Sequence, residues 1–233
     1  MIFRQLVDPD TSTYTYLLAD ETTRDAVLID PVREQVDRDV ALLDELGLRL
    51  VYTLETHVHA DHVTGSGTLR DRVGARTVAS VRAGADCADV RVDHGDRIEF
   101  GRHTIEVLAT PGHTAGCVTY VVRDGDRVLA FTGDALFVRG CGRTDFQQGD
   151  ARTLFRSVRD VIFALPDHTL VYPGHDYRGY TVTTVAEEKR HNPRLRLGVT
   201  EDEFVAIMGG LNLPKPRHMD VAVPANLACG GAA

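Results

Sequence analysis

Hydrophobic and polar positions follow two different periods in the first part of the chain, one typical of strands and one typical of helices. Two short apolar or β-branched runs, residues 13–18 and 26–29, are separated by a polar segment and predict a β-hairpin. Apolar residues then recur at helical spacing over 34–46, and Gly47 follows as a residue that commonly ends helices. Because the apolar run 48–54 comes next, the pattern predicts a strand–helix–strand unit.

The rest of the pattern predicts a second sheet between further helices. The predicted elements are a helix at 67–73, strands at 77–81, 97–100, 103–108, 117–122 and 127–132, a helix at 151–165, a strand at 169–172, and helices at 182–190 and 201–208 that close the chain. Two sheets with helices on their outer faces form an αββα sandwich, which is an α/β architecture.

Composition limits the classes of function. The chain has 233 residues, of which 43% are hydrophobic, and this length suits one domain with a modest extension. A formal net charge of −8 without runs of basic residues argues against a nucleic-acid surface or a basic membrane patch. The N-terminal residues contain no long apolar stretch, so we expect neither a signal peptide nor a membrane span.

The cysteine spacing gives an expectation about the cellular compartment. Cys87, Cys117, Cys141 and Cys229 form no CxxC pair and lie far apart in the sequence. This pattern predicts reduced thiols and a cytoplasmic location rather than a disulfide framework. Cys117 is interpreted as a core residue and Cys141 as a small residue of a tight loop, since no neighbouring base is visible to lower its pKa. The glycine-rich end, residues 229–233, is expected to be mobile.

The segment HVHADH directly follows the predicted strand 48–54 and carries the most specific chemical signal. Alternate residues of an extended chain point to the same side, so His57 and His59 can face one point. The turn that follows can bring Asp61 and His62 to a neighbouring point. Imidazole nitrogen and carboxylate oxygen suit zinc, iron or manganese. The spacing therefore predicts a site for one or two metal ions.

Three later segments add candidate ligands in a common form. His113, Asp134 and His175 each follow a predicted strand in a tight turn that contains glycine. Glycine and proline in such turns let the backbone approach a site closely and fix the direction of the next side chain. Together with the histidine cluster, these residues provide enough ligands for two metals bridged by one carboxylate.

The order HxHxDH, GH, GD and GH resembles the metallo-β-lactamase superfamily. The resemblance implies the metallo-β-lactamase fold, with residues 1–180 as the αββα core and 181–233 as a C-terminal helical extension and tail that complete the same domain. In superfamily terms, one metal site consists of His57, His59 and His113, a second consists of Asp61, His62 and His175, and Asp134 bridges them. Nothing in the spacing alone excludes a second metal.

Within the superfamily, the chain resembles the persulfide dioxygenases. The segments that carry this likeness are 56–67, 139–149, 192–195, 213–216 and 222–226. The resemblance implies one Fe(II) per chain, held by His57, His113 and Asp134, with one face of the ion open to both substrate sulfur and O2. The remaining candidates are then residues that hold the ligands and bound waters by hydrogen bonds, namely His59, Asp61, His62 and His175.

The implied reaction is the oxidation of glutathione persulfide by O2 to sulfite, with release of glutathione. Arg143, Arg194 and Tyr177 match the family positions for substrate binding, and a guanidinium fits a carboxylate of glutathione well. The alternative is a dinuclear zinc hydrolase of glutathione thioesters similar to glyoxalase II. That family usually has a longer helical C-terminal domain, so the short tail after His175 favours the dioxygenase. A non-catalytic metal-binding module, a homodimer and a separate sulfurtransferase partner are left open.

Overall fold

Two six-stranded mixed β-sheets face each other in the computed structural model, which describes residues 1–231. The first sheet contains, in spatial order, β1 (Ile2–Asp8), β2 (Thr13–Ala19), β3 (Asp25–Ile29), β4 (Arg49–Leu54), β5 (Arg76–Ser80) and β6 (Val90–Val92). The second contains β7 (Arg97–Phe100), β8 (His103–Ala109), β9 (Val118–Asp124), β10 (Arg127–Gly133), β11 (Leu170–Pro173) and β12 (Thr183–Thr184), also side by side in numerical order. Strands β3 to β6 run parallel, as do β10 and β11, and the other neighbours are antiparallel.

Helices cover the outer faces of both sheets. They are α1 (Val36–Leu46), α2 (Ser66–Val73), α3 (Ala151–Arg156), α4 (Val185–His191), α5 (Glu201–Gly209) and α6 (Met219–Leu227), and a π-helical segment, Ser157–Ile162, continues α3. The buried cluster between the sheets includes Tyr16 and Ile29 from the first sheet and Tyr120 and Phe131 from the second. Separate apolar clusters lie under α1 and α2 and under α3 to α5. The predicted αββα sandwich is confirmed.

Most predicted elements are present close to their predicted positions. The hairpin of β2 and β3 is antiparallel, and α1 ends where Gly47 adopts a left-handed conformation with φ of +59°. Strand β1 extends the first sheet beyond the predicted hairpin by pairing with β2. No helix in residues 1–231 combines the length and the apolar character needed to cross a membrane.

The end of the chain differs from the prediction. We expected the helices near 182–190 and 201–208 to close the chain, but α6 follows them and contains Pro224. Proline lacks a backbone N–H and usually marks a helix boundary, so the sequence pattern gave no reason to expect a helix there. This helix packs on the segment that carries the histidine cluster, where Ala222 and Ala225 form a small apolar cluster with Val63.

The prediction of four reduced thiols is wrong. Cys87 and Cys229 form a disulfide across a sequence separation of 142 residues, whereas Cys117 and Cys141 are free and buried. Separation in sequence says nothing about distance in space, and α6 brings Cys229 to the loop that follows β5. The expectation of a mobile tail is therefore wrong for Cys229, and its last two positions, 232 and 233, lie outside the described residues.

Candidate metal centre

The candidate ligands come from strand ends that meet at one edge of the sandwich. His57 and the rest of the histidine cluster follow β4, and His113 follows the turn after β8. Asp134 comes directly after β10, and His175 comes two residues after β11. Irregular backbone at strand ends is where a rigid sheet can present several side chains to one point. The fold thus brings the four separate sequence motifs together.

His57, His113 and Asp134 form the first of the groups that could hold a metal ion. One potential ligand atom from each residue lies within 4.8 Å of the others. The imidazole Nε2 of His113 is 3.4 Å from a carboxylate oxygen of Asp134. His57 is buried, and the side chains of His113 and Asp134 are only 10% and 12% exposed. Two nitrogens and one carboxylate oxygen in such a site suit a divalent transition metal.

The electrostatics of this group favour the protonation states that metal ligands need. Burial, and then the neighbouring His59, lower the pKa of His57 well below its usual value, which keeps the imidazole neutral. Burial opposes ionisation of Asp134, but the nearby His175 and His113 outweigh it and lower the pKa of this carboxyl. Neutral imidazole and ionised carboxylate are the forms that coordinate metals.

A second group lies beside the first and consists of His59, Asp61 and His62, whose potential ligand atoms also lie within 4.8 Å of one another. The buried Nδ1 of His59 and the buried Nε2 of His62 have no hydrogen-bond partner among residues 1–231. Buried polar atoms without a partner are rare in proteins and indicate a missing ligand, ion or water. Both groups therefore fit a bound cation.

His175 links the two groups but belongs to neither. Its Nδ1 lies 2.8 Å from a carboxylate oxygen of Asp134, and its Nε2 lies 3.0 Å from one of Asp61. Although burial disfavours the charged form, Asp134 and Asp61 raise the pKa of His175 well above its usual value. Both ring nitrogens thus face carboxylates, and a metal bound by His175 would have to replace one of these two contacts.

Asp30, which was not among the predicted site residues, organises the histidine cluster. Its carboxylate accepts hydrogen bonds from the backbone N–H of Thr56 at 2.7 Å and from Nε2 of His59 at 3.1 Å. Its other oxygen accepts from the Thr56 hydroxyl, which lies 3.0 Å from Nδ1 of His57. Since that hydroxyl proton is used by Asp30, the hydroxyl oxygen accepts from His57, and the Nε2 of His57 stays free for a ligand.

A sequence signal for Asp30 was available, namely an aspartate with a following proline at the end of a buried strand. Its φ of 51° lies in the left-handed region, which aspartate tolerates better than most residues. Glu55 joins Asp30 and His59 in a further group of mutually close ligand atoms, and Oε2 of Glu55 is 3.3 Å from the His59 imidazole. The carboxylates of Asp30 and Glu55 thus both contact the Nε2 of His59, and its Nδ1 has no partner among residues 1–231.

The loop over residues 139–149 supports the centre from the other side. His113 donates a hydrogen bond from Nδ1 to the backbone carbonyl of Arg143 at 2.7 Å, which leaves its Nε2 directed at Asp134. The side-chain amide of Gln147 donates to the carbonyl of Val58 at 2.7 Å, between the first two histidines. The segment that suggested the dioxygenase family in the sequence is therefore in direct contact with the candidate ligands.

A cavity of about 710 Å³ opens onto the centre, a size typical of small-ligand pockets. His113 and Asp134 line it together with three residues predicted to bind substrate, Arg143, Tyr177 and Arg194. Tyr177 is 73% exposed, and its ring stacks on that of His175 with centroids 6.0 Å apart. Its position at the mouth leaves the hydroxyl free to meet a ligand.

The arginines of the cavity differ in what they already bind. Arg143 makes a two-point ion pair with Asp145 at 2.7 and 2.8 Å and also donates to the carbonyl of Pro214. Arg194 donates a long bond of 3.4 Å to the carbonyl of Cys141 and makes weak contacts with the sulfurs of Cys141 and Met208, and within residues 1–231 it has no carboxylate partner. Arg217, which was not among the predicted site residues, also lines the cavity. Arg194 is therefore the better placed of the two predicted arginines to bind a substrate carboxylate.

The class of protein is shown by its similarity to a known family. Residues 8–175 match the family model described as Metallo-beta-lactamase superfamily, in agreement with the two sheets and the ligand order. The human mitochondrial persulfide dioxygenase ETHE1 is 56% identical over 231 residues, covering 99% of this chain and 89% of the human protein. The crystal structure of ETHE1 from Myxococcus xanthus superposes with a TM-score of 0.95 at 60% identity, covering 99% of this chain and 100% of that chain.

A similar protein named as a hydrolase is more distant in sequence. The hydroxyacylglutathione hydrolase of Rhizobium meliloti is 34% identical over 236 residues, covering 85% of this chain and 88% of that protein. The chain belongs to the persulfide dioxygenase family of the metallo-beta-lactamase superfamily.

Proposed function

We propose that the protein is a mononuclear Fe(II) dioxygenase that converts glutathione persulfide, O2 and water into sulfite and glutathione, with the third oxygen of sulfite coming from water. The observation that carries the proposal is the group of His57, His113 and Asp134, of which the last two line a cavity that also contains the Arg194 guanidinium without a carboxylate partner. The likeness to human persulfide dioxygenase over 99% of the chain supports the same reaction. One Fe(II) per chain would supply a shared coordination site for the persulfide sulfur and O2.

The residues around this group have separate tasks in the proposal. His57 and His113 present Nε2 because their Nδ1 atoms are held by Thr56 and by the carbonyl of Arg143. His175 carries a positive charge between Asp61 and Asp134, so it balances the negative charge that these two carboxylates place beside the centre. His59, Asp61 and His62 then act by hydrogen bonding rather than as ligands.

Substrate binding is proposed to depend on charge. Glutathione carries two carboxylates, and the protein as a whole is acidic with a net charge of −8. Local guanidinium groups must therefore overcome a repulsive background. Arg194 is free to pair with a carboxylate, Tyr177 can donate a hydrogen bond at the mouth, and Arg143 holds the cavity wall at Pro214 while flanking the substrate.

The proposal also includes the domain organisation, the oligomeric state and the cellular location of the protein. We propose that residues 181–233 complete the domain formed by 1–180, since α6 packs on the segment that bears the histidines. A cytoplasmic location, a homodimer and a separate sulfurtransferase that supplies the persulfide are proposals from the sequence. The disulfide is unusual for a reducing cytoplasm, and cell fractionation tests the location directly.

A dinuclear zinc hydrolase of glutathione thioesters is the second candidate. The free nitrogens of His59 and His62 favour it, because they could hold a second ion with Asp61. The hydrogen bonds of His175 to both carboxylates argue against it, since this histidine would have to give up at least one of them to complete a second site.

Metal analysis of anaerobically purified protein separates the two candidates when it is combined with assays on both substrates. The dioxygenase predicts one iron per chain, sulfite from glutathione persulfide, and loss of iron and activity together in His113→Ala. His175→Ala should bind iron more weakly than the wild type but more tightly than His113→Ala, because it removes a hydrogen bond to Asp134 and not a ligand. Two zincs per chain with thioester cleavage and no sulfite would contradict the proposal, as would full iron content in His113→Ala.

A further inference from the structure

One side chain of the C-terminal helix holds the backbone of the histidine segment. The Nδ2 group of Asn226 donates hydrogen bonds to the carbonyls of His59 at 2.9 Å and His62 at 2.8 Å. Its Oδ1 accepts a hydrogen bond from the backbone N–H of Thr64 at 2.8 Å. Asn226 is 5% exposed, so these bonds form away from water. A single amide thus satisfies three backbone groups of one irregular loop.

Only an amide has the groups that this position requires. The loop offers two carbonyls and one N–H, and a side-chain amide supplies two donors and an acceptor at the same time. A carboxylate of the same shape would place an oxygen against both carbonyls. Buried backbone groups that lose their partners are costly, so without Asn226 the loop would have to move to find others. Any such movement would displace His59 and His62.

The helix that carries Asn226 is itself fastened to the same region. The carbonyl of Cys229 accepts a hydrogen bond from the N–H of Gly67 at 2.8 Å, and Cys229 is tied to Cys87 by the disulfide. A Cβ atom on Gly67 would lie 2.4 Å from the Cys229 carbonyl oxygen, so the two segments are in direct backbone contact. Asn226 is therefore presented to the loop by a helix with little freedom to shift.

We propose that Asn226 is a positioning residue of the metal centre, which sets the path of the backbone from His59 to Thr64, directly after His57, and thereby the affinity of the centre for a divalent metal. The inference rests on the proposed metal centre, but it requires neither iron nor the dioxygenase reaction. Outer groups that orient metal ligands typically change metal affinity by about 10- to 100-fold when they are removed. We expect an effect of that size from Asn226→Ala and Asn226→Asp.

The test uses the full-length protein and Co(II) as a spectroscopic probe of the ligand geometry, with Fe(II) binding measured in parallel. Asn226→Asp preserves the size of the side chain and serves if Asn226→Ala folds poorly. Val221→Ala is the matched control on the same helix, because Val221 is 67% exposed and lies outside the cluster that contacts the loop. Phe204→Leu, a buried change in the cluster under α3 to α5, controls for a general loss of stability.

The proposal predicts that both Asn226 variants keep the native circular dichroism spectrum. They should bind Co(II) and Fe(II) about 10- to 100-fold more weakly than the wild type and show a shifted Co(II) absorption spectrum. Both control variants should match the wild type. Wild-type affinity and spectrum in the Asn226 variants would overturn it, as would an equal loss in Phe204→Leu. A wild-type protein that binds metal but makes no sulfite would contradict the proposed function alone, and the metal affinities would still decide the role of Asn226.

Discussion

The Nδ1 atom of His113 lies 2.7 Å from the backbone carbonyl oxygen of Arg143. This hydrogen bond connects His113, a candidate metal ligand in the turn after β8, to the loop over residues 139–149. Arg143 belongs to that loop, lies two residues after Cys141 and lines the cavity. Because Nδ1 donates to the carbonyl, Nε2 is left as the basic nitrogen that faces Asp134. The loop therefore controls both the tautomer and the direction of His113.

Gly142 is predicted to be essential for that arrangement. A Cβ at this position would lie 2.6 Å from the backbone oxygen of Asp134 and 2.8 Å from Nδ1 of His113, closer than real Cβ contacts allow. Gly142→Ala should therefore displace both ligands and weaken metal binding by about tenfold or more. Gly140→Ala is the matched control, since its Cβ would meet Phe137 at an ordinary 3.7 Å. Equal metal affinity in the two variants would refute this explanation.

Arg194 is predicted to act in binding rather than in chemistry. Its guanidinium lines the cavity and has no carboxylate partner within residues 1–231, so a substrate carboxylate can occupy it. A hydrogen bond to a charged group contributes about 1.5–3 kcal/mol, so Arg194→Ala should raise KM about tenfold or more with little change in kcat. Arg190, which is exposed on α4, provides the control in Arg190→Ala. A fall in kcat at unchanged KM would assign Arg194 a different role.

The Cys87–Cys229 disulfide is predicted to stabilise the fold. It closes a sequence separation of 142 residues, for which the chain-entropy model gives a stabilisation of about 5 kcal/mol. Denaturant unfolding of the wild type should shift to a lower midpoint when a reductant is added. The double variant Cys87→Ser with Cys229→Ser should start at that lower midpoint and not respond to reductant. Coincident wild-type curves with and without reductant would show that the bond does not form or does not contribute.

Cys141 is predicted to be unreactive at neutral pH although it lines the cavity. Burial raises the pKa of its thiol to about 11, against a smaller opposite effect of the nearby Arg194. The thiolate is the reactive form, so its fraction should grow about tenfold per pH unit until the pH approaches 11. Alkylation of Cys141 in the native protein should be slow at pH 7.5, accelerate with pH, and be fast after unfolding. Rapid native alkylation at pH 7.5, mapped by peptide mass, would show a thiol that is far more acidic.

The part of the centre that could be predicted consists of residues whose type and local spacing carry the signal. The HVHADH segment and the three glycine-containing turns specify metal-ligating side chains, and each sits next to a strand with a clear apolar pattern. The αββα sandwich was also predictable from the apolar pattern. Strands and helices differ in the spacing of their apolar residues, and a sheet in such a fold needs both faces covered. These features depend on short stretches of chain.

The supporting residues could not be predicted in the same way. Asp30 and Asn226 hold the histidine segment from 29 residues or more away, and their roles depend on distances that only the folded chain defines. Asn226 lies on a helix that the sequence pattern missed because of Pro224. The same helix explains the wrong expectation about Cys229, since its docking creates the contact with Cys87. The missed helix and the unpredicted disulfide therefore both depend on contacts between residues far apart in the sequence.

The most direct test of the central claim is the stoichiometry of oxygen consumption. Anaerobically prepared, iron-loaded protein is mixed with glutathione persulfide in an oxygen electrode, and sulfite is quantified in the same sample. We expect one O2 to be consumed for each sulfite formed, with no uptake in the metal-free protein or when a glutathione thioester replaces the persulfide. Hydrolysis of the thioester by the zinc-loaded protein, with no oxygen uptake on persulfide by the iron-loaded form, would contradict it.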